Sequence, residues 1–393
     1  MRSFTAMILV GFLGLASTGC GKEKEKGGSK KETVVAGEKK SHDKKSDAPE
    51  EKKAENDKES KPKSLSPEVV AAWEAAGASM TPNKLDLIIR SAWSGPGRLE
   101  QIPNFNFRAW EPDKVAKLPA PELGFGVGLA STKITDDGLK NLANFKNLHA
   151  LNLNSATVSD AALKQLAELK ALRAVNLAYT KVKDPALKQL AGLKELEAVG
   201  LFATPISDEA LKDLAKLENL RALDLGNTAI TDLGLKELAA CKRLQTLNLE
   251  STRATNEGMK HLAPLAEMRD LNLWRIEVSD AGLKELSGMK KLEVLYLWSS
   301  KLTDSGMKEL AGFTNLKNLS LRRVPVTDAG LKHLAALKHL EGLDLGYTNV
   351  TDAGLKELAG FSQLKELNLM DCKVTDAKVA ELQKALPKLG IFR

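Results

Sequence analysis

Hydrophobic residues return to the same positions every 24 residues over most of this chain. An acidic position marks the period, because ten aspartates and one asparagine occupy it without an insertion or deletion: Asp136, Asp160, Asp184, Asp208, Asp232, Asn256, Asp280, Asp304, Asp328, Asp352 and Asp376. A fixed period over eleven copies is typical of a repeat protein in which each unit packs on its neighbours. The pattern therefore predicts a solenoid.

One unit, residues 340–363, contains two hydrophobic periods. Leu343 and Leu345 are two residues apart, so both point to one face of a strand while Asp344 points to the other. Residues 355–359 carry leucine or alanine at i, i+3 and i+4, which is the apolar stripe of a short helix. Each unit thus predicts one strand followed by one helix.

The junction between strand and helix contains a threonine followed by the acidic residue. Thr351 or Asp352 is expected to supply the side-chain oxygen that caps the helix N-terminus. A negative charge there also suits the helix dipole. This structural role accounts for the aspartates, so we do not expect them to form a metal-binding array.

Two leucine columns are uniform along the repeats. The strand column runs from Leu129 to Leu369 in steps of 24 residues, and the helix column comprises Leu142, Leu166, Leu190, Leu214, Leu238, Leu262, Leu286, Leu310, Leu334, Leu358 and Leu382. A strand and helix of this size cannot bury their apolar sides alone, so these columns predict one continuous core between a parallel sheet and a row of helices.

The unit resembles the leucine-rich repeat family, in its ribonuclease-inhibitor-like or cysteine-containing-like subtype with an I-T-D-x-x-L-x-x-L-A helix signature. The resemblance covers residues 124–393. It implies an α/β solenoid, a curved horseshoe with a parallel β-sheet on the concave face and short helices on the convex face. Where the family has Asn or Cys after the strand, this chain has Cys372 once and mostly threonine: Thr132, Thr180, Thr204, Thr228, Thr252 and Thr348. These small side chains are also expected to hydrogen-bond the loop backbone.

The net charge of +7 is concentrated outside the repeats. Arg2 contributes one positive charge and residues 21–63 contribute three, so only three remain for residues 64–393. A nearly neutral folded part argues against a nucleic-acid platform.

Residues 1–20 resemble a bacterial lipoprotein signal peptide, with basic Arg2, an apolar run and Cys20 as the lipidated residue. Ser17 departs from that motif, which normally has leucine there, and ordinary secretion is the alternative. Lipidation implies anchoring in the cell envelope, and Gly21 favours the outer over the inner membrane. Residues 21–63 are rich in Lys, Glu, Asp, Ser and Gly, which predicts a disordered charged tether.

Residues 64–123 form a separate N-terminal region. Ser66 and Pro67 are expected to start a helix and Gly77 to end it. The region also holds three tryptophans and two phenylalanines: Trp73, Trp93, Trp110, Phe105 and Phe107. A solenoid exposes the core of its first repeat, so we interpret these aromatic residues as an N-terminal cap. An independent ligand-binding module is the alternative.

The repeats contain no arrangement of residues typical of catalysis. No histidine pair has metal-ligand spacing with a third ligand, and no phosphate- or dinucleotide-binding motif is present. Cys241 lies in a column otherwise filled by apolar residues, so it is expected to fill the core. We therefore expect a protein that is not an enzyme and needs no cofactor or metal.

Large side chains are concentrated at a few strand positions predicted to face away from the helices. The predicted binding patch comprises Glu250, Trp274, Arg275, Tyr296, Trp298, Arg322 and Arg323. Adjacent parallel strands are about 4.8 Å apart, so Trp274 and Trp298 should lie side by side. Exposed Trp, Tyr and Arg dominate binding hot spots. The alternative is that the indoles stack on each other and on Arg322 as a stabilising ladder.

These observations predict an exported, envelope-tethered, monomeric protein that binds a protein partner on its concave surface. One alternative is a glycan or peptidoglycan fragment lying on the faces of Trp274 and Trp298. Another is a structural scaffold without a specific ligand.

Overall fold

A computed structural model of the chain describes residues 65–84 and 101–393. Its strands are β1 (Ala78–Lys84), β2 (Gln101–Phe107), β3 (Phe125–Gly128), β4 (Leu148–Asn152), β5 (Ala174–Asn176), β6 (Ala198–Gly200), β7 (Ala222–Asp224), β8 (Thr246–Asn248), β9 (Asp270–Asn272), β10 (Val294–Tyr296), β11 (Asn318–Ser320), β12 (Gly342–Asp344), β13 (Glu366–Asn368) and β14 (Gly390–Phe392).

These strands form one open sheet in which strands that follow each other along the chain are also neighbours in space. β1 pairs antiparallel with β2, and every later pair is parallel. In the repeats each residue pairs with the one 24 positions later, as Leu343 does with Leu367. The constant repeat length keeps this register, so the predicted parallel solenoid sheet is confirmed.

The connections between strands contain short helices. The α-helices are α1 (Pro67–Ala75), α2 (Pro112–Val115), α3 (Ala162–Leu166), α4 (Asp184–Leu187), α5 (Asp208–Leu214), α6 (Asp232–Leu238), α7 (Asn256–Leu262), α8 (Asp280–Glu285), α9 (Met307–Leu310), α10 (Asp328–Leu331), α11 (Asp352–Leu358) and α12 (Asp376–Ala385). Four 3₁₀ helices add to them: Gly138–Leu142, Leu190–Gly192, Leu286–Gly288 and Lys332–Ala336. No helix among the described residues is long and apolar enough to cross a membrane.

Both leucine columns are buried as predicted. In the helix column ten leucines are completely buried, and the last, Leu382, is 4% exposed. The strand column from Leu129 to Leu369 is equally inaccessible. The two columns belong to a single apolar cluster that runs from Trp73 to Leu389. Burial of this apolar surface is the main force that holds each repeat against the next.

Threonine hydroxyls close the turn after the strand. The Thr348 hydroxyl donates to the carbonyl oxygen of Leu345 at 2.6 Å. The same contact recurs at Thr180, Thr204, Thr228 and Thr252. The expected hydrogen bond to the loop backbone is therefore confirmed.

The acidic column links each repeat to the next one. Thr351 caps α11, because its side chain accepts from the backbone N–H of Ala353. The carboxylate of Asp328, one repeat earlier, accepts from both the backbone N–H and the hydroxyl of Thr351, at 2.8 and 2.6 Å. Of the two residues expected to cap the helix, the threonine does so. The aspartate instead bonds to the following repeat.

Gly258 shows how close this contact between repeats is. A Cβ atom at Gly258 would lie 2.3 Å from the Oδ1 atom of Asp232, the aspartate of the preceding repeat. A side chain there would force the carboxylate to move.

Aromatic residues of the N-terminal region pack over the first repeat. Trp73 of α1 is completely buried and stacks on Phe105 of β2, with ring centroids 4.5 Å apart. It also contacts Phe125 and Phe145 at centroid distances of 5.5 and 5.1 Å. These contacts join the region to the repeat core.

The predicted limits of the first helix are confirmed. Ser66 caps α1, which starts at Pro67, and Gly77 follows the helix with a φ of 95°. The predictions for the signal peptide with Cys20, for the tether and for Trp93 lie outside the described residues.

Candidate functional site

The sheet surface that faces away from the helices, here called the concave face, carries three residue columns per repeat. The first is the last residue of each strand, such as Asn248 or Asp344. The second lies two residues further on, and includes Glu250, Trp274 and Trp298. The third is the residue after that.

The first column is buried and has a structural role. The Oδ1 atom of Asn272 accepts from the backbone N–H of Trp274 at 3.0 Å, which turns the chain after the strand. The same contact to residue i+2 occurs at six other positions: Asn152, Asn176, Asp224, Asn248, Asp344 and Asn368. Tyr296, expected to be exposed in the binding patch, belongs to this column and is only 6% exposed. Its side chain therefore lies beneath the patch, in contact with Val294.

The third column has left-handed backbone geometry in every repeat, although none of its residues is glycine. Eleven residues have φ between 53° and 61°: Ser131, Ser155, Tyr179, Ala203, Asn227, Ser251, Arg275, Ser299, Arg323, Tyr347 and Asp371. Such a φ is uncommon outside glycine, asparagine and aspartate. Here the paired turn around each position holds it. Arg275 and Arg323 are exposed in this column.

Four side chains from the second and third columns form a continuous stack, here called the aromatic–arginine ladder: Trp274, Trp298, Arg322 and Tyr347. The two indoles are nearly parallel, with an interplanar angle of 8° and centroids 4.2 Å apart. The guanidinium carbon of Arg322 lies 5.0 Å from the Trp298 ring and 4.7 Å from the Tyr347 ring. The stacking that was the alternative to binding is therefore present.

The ladder continues beyond its predicted members. A guanidinium nitrogen of Arg322 lies 3.6 Å from the sulfur of Met370, and the hydroxyl of Tyr347 lies 3.4 Å from the same atom. Arg323 covers the Tyr347 ring at 5.0 Å. Tyr347 and Met370 were not predicted as site residues. The fixed period could have identified both, since it places them in the repeats that follow Arg322 and Arg323.

The ladder buries some of its polar groups. The indole N–H groups of Trp274 and Trp298 and the Nε atom of Arg322 are inaccessible to solvent, and none has a hydrogen-bond partner among residues 65–84 and 101–393. One indole of Trp298 has both faces covered, by Trp274 and Arg322. The half-buried rings therefore present their edges, rather than their faces, to the concave surface.

Acidic and aromatic residues lie on the N-terminal side of the ladder. Burial and the nearby Asp224 carboxylate raise the pKa of Glu250 to about 7, against hydrogen bonding from Asn272 and the charge of Arg275. Burial, Glu250 and Asp224 also raise the pKa of Tyr179. Tyr179 is 52% exposed, and its ring lies 5.4 Å from the Phe202 ring. The concave face therefore has an acidic end and a basic end.

Charged residues at the start of the strands form closed ion pairs. Glu197 binds Arg173 at 2.6 Å and Arg221 at 3.2 Å. Glu293 likewise binds Arg269 at 2.6 Å and Lys317 at 2.7 Å. The Lys365 ammonium binds Glu341 at 2.6 Å. These five contacts, here called the charge-paired column, neutralise this edge of the sheet.

The described part of the chain contains no group of three or more His, Cys, Asp or Glu side chains arranged to hold a metal ion. Cys241 is buried in the apolar core, as expected, and burial raises the pKa of its thiol to about 11. A thiol with this pKa is protonated at neutral pH and is a poor nucleophile.

Comparisons with known proteins agree on the repeat architecture. A family model described as "Leucine-rich repeat region" matches residues 129–390. No curated protein matches this chain.

Several solved structures are similar. A TDR receptor is 16% identical with a TM-score of 0.50, over 72% of this chain and 49% of that chain. An internalin, inlF, from Listeria monocytogenes is 19% identical with a TM-score of 0.49, over 79% of this chain and 93% of that one. The plant peptide hormone receptor RGFR1 in complex with RGF2 is 16% identical with a TM-score of 0.41, over 67% of this chain and 50% of that one. The chain spans about half of each receptor, and at these identities the likeness concerns the fold alone.

Proposed function

The chain belongs to the leucine-rich repeat family, and from this premise we propose that it is a non-enzymatic binding protein whose concave face takes up a protein partner. Proteins of this family are typically binding proteins. A solenoid offers such a partner a long, rigid surface, because each repeat adds one strand to the same sheet.

The observation that carries this proposal is the set of exposed side chains in the third column. Arg275, Arg323 and Tyr179 are exposed although each occupies a left-handed backbone position. The ladder holds Arg322 and Tyr347 in fixed orientations beside them. Rigid Tyr, Trp and Arg side chains lose little conformational entropy on binding, and they are enriched at interface hot spots.

The stacking of the indoles favours a protein over a glycan. A sugar ring binds an aromatic residue mainly through the face of the aromatic ring, and both faces of Trp298 are covered. A scaffold without a ligand would have no use for exposed arginines, because the charge-paired column shows that this chain neutralises charges that serve structure alone.

A bulky substitution in the third column tests the proposal without disturbing the core. Ser299 is exposed, and its φ of 58° is that of Tyr347, so Ser299→Tyr fits the local backbone. Its ring would project from the middle of the concave face. Ser305→Tyr, on the exposed turn before α9 of the same repeat, is the matched control.

The experiment is capture of proteins from native cell envelopes on the full-length chain and on each variant. We expect one partner to be retained by the wild type and by Ser305→Tyr, and lost by Ser299→Tyr. Equal recovery by both variants would refute binding at the concave face.

We also propose that Cys20 carries a lipid that anchors the protein in the bacterial cell envelope, more specifically in the outer membrane. The support is the arrangement of residues 1–20 and the polar segment that follows. Cys20→Ser should release the protein from the membrane fraction and abolish incorporation of labelled fatty acid. A variant that remains membrane-bound would contradict the anchor.

A further inference from the structure

Basic residues in this molecule fall into two groups that differ in how their charges are matched. In the charge-paired column, Arg173, Arg221, Arg269, Lys317 and Lys365 each lie within 3.2 Å of a glutamate oxygen. On the concave face, by contrast, the guanidinium groups of Arg275, Arg322 and Arg323 form no ion pair within the described ranges. Three positive charges are therefore held close together without compensation.

The ladder fixes the position of these charges. Arg322 lies between the rings of Trp298 and Tyr347, and Arg323 covers the ring of Tyr347. Stacking covers the faces of a guanidinium group and leaves its N–H edge for hydrogen bonds. A carboxylate matches that edge with two parallel hydrogen bonds, and less entropy is lost because the arginines are already ordered.

The other end of the concave face has the opposite charge. Asp224 and Glu250 lie on the N-terminal side of Trp274, beside Tyr179 and Phe202. The pKa of Glu250, at about 7, shows that this carboxyl lies in a partly desolvated place without a cation at salt-bridge distance in the described structure. A uniformly negative polymer along the face would meet these carboxylates.

We infer that the arginine end of the concave face is a binding site for carboxylate side chains of an acidic peptide segment, with Arg275 and Arg323 as the contacting residues and Arg322 as the stacked support. This inference rests on the proposed function and specifies the partner. The segment bears aspartate or glutamate where it crosses Arg275 and Arg323, and uncharged or basic residues where it crosses Tyr179 and Glu250.

Selection of random dodecapeptides displayed on phage, with the full-length chain as bait, tests this inference. The test variant is Arg275→Gln combined with Arg323→Gln, which keeps the ladder of Trp274, Trp298 and Arg322 intact. The matched control is Arg243→Gln combined with Arg253→Gln. Both control arginines are exposed and lie off the concave face, and the net charge changes equally.

We expect the selected peptides to be enriched in Asp and Glu and to bind the test variant about tenfold more weakly than the wild type, as for the loss of one charge-assisted contact. The control variant should bind as the wild type does. Inorganic polyphosphate serves as a second probe, because phosphate groups also fit guanidinium edges.

Three outcomes would overturn the inference. Peptides without acidic enrichment that nevertheless lose binding in Ser299→Tyr would leave the proposed function standing and refute the acidic partner. Polyphosphate that binds as tightly as the selected peptides, with the same loss in the test variant, would identify a general anion site. Peptides unaffected by any concave substitution would refute the proposed function as well.

Discussion

The carboxyl of Glu250 makes the stability of the protein depend on pH in a direction opposite to that of most acidic residues. Its pKa in the folded protein is raised from 4.5 to about 7, chiefly because the side chain is largely buried and lies near Asp224. Between these values the folded protein keeps a proton that the unfolded chain has lost. The stabilisation is therefore fully present below pH 4.5, and it is lost as the pH rises through about 7.

The magnitude follows from the same values. An increase in pKa from 4.5 to about 7 corresponds to about 3 kcal/mol of free energy of unfolding. Since the side chain is partly exposed, solvent screening reduces the expected value to between about 1 and 3 kcal/mol. Glu250→Gln removes the ionisable group and keeps an oxygen that can accept from Asn272, whose Nδ2 lies 3.5 Å from the Glu250 carboxylate.

The assay is urea unfolding of the wild type and of Glu250→Gln from about pH 5 to about pH 8. The variant should gain stability relative to the wild type as the pH rises, by about 1–3 kcal/mol over this range. Asp344→Asn is a less suitable variant, because the Asp344 carboxylate accepts hydrogen bonds from Gly346 and Asn368. Parallel pH profiles for the wild type and Glu250→Gln would refute a raised pKa and the acidic end it defines.

Three further substitutions test the fold and the ladder by urea unfolding. Leu238→Ala should cost about 2–5 kcal/mol, because the side chain is completely buried, and a loss below about half a kcal/mol would mean that the column is not packed as described. Asp232→Ala should cost about 2 kcal/mol more than Asp232→Asn, since the bonds between repeats are lost only in the first, and Asn256 already fills the equivalent position; equal losses would contradict this role. Trp274→Ala and Trp298→Ala should each cost about 1–3 kcal/mol and remove the same near-ultraviolet circular dichroism band, and different spectral changes would argue against a stacked pair.

Most of the fold could be predicted because a repeat protein states its rules many times. The leucine columns, the strand-to-helix order and the register between strands all follow from the 24-residue period. The role of the acidic column could not be obtained in this way. A single repeat shows Asp352 beside a helix start, and only the stacked structure shows that its carboxylate reaches Thr375 of the next repeat.

The candidate site was only partly predictable. Period and strand spacing brought Trp274, Trp298 and Arg322 together, but alternation along a strand does not distinguish a free surface from a buried one. Tyr296 was misjudged for this reason, since the turn after each strand folds over the first column. The stack itself depends on side-chain rotamers, which the sequence pattern does not determine.

The acidic end of the face was also incomplete in the sequence-based patch. Glu250 was included because it lies in the same column as the tryptophans. Asp224 and Tyr179 lie in other columns, and their influence on Glu250 depends on distances across the sheet. Electrostatic coupling of this kind appears only when the strands are placed side by side.

Site-specific photo-crosslinking in living cells tests the central claim most directly. A photoreactive amino acid would replace Tyr179 or Arg323 on the concave face, or Ser305 on the opposite surface, one position at a time. The account predicts a crosslinked protein partner of the same size from both concave positions and none from Ser305. Adducts only from Ser305, or equal adducts from all three positions, would contradict recognition at the concave face.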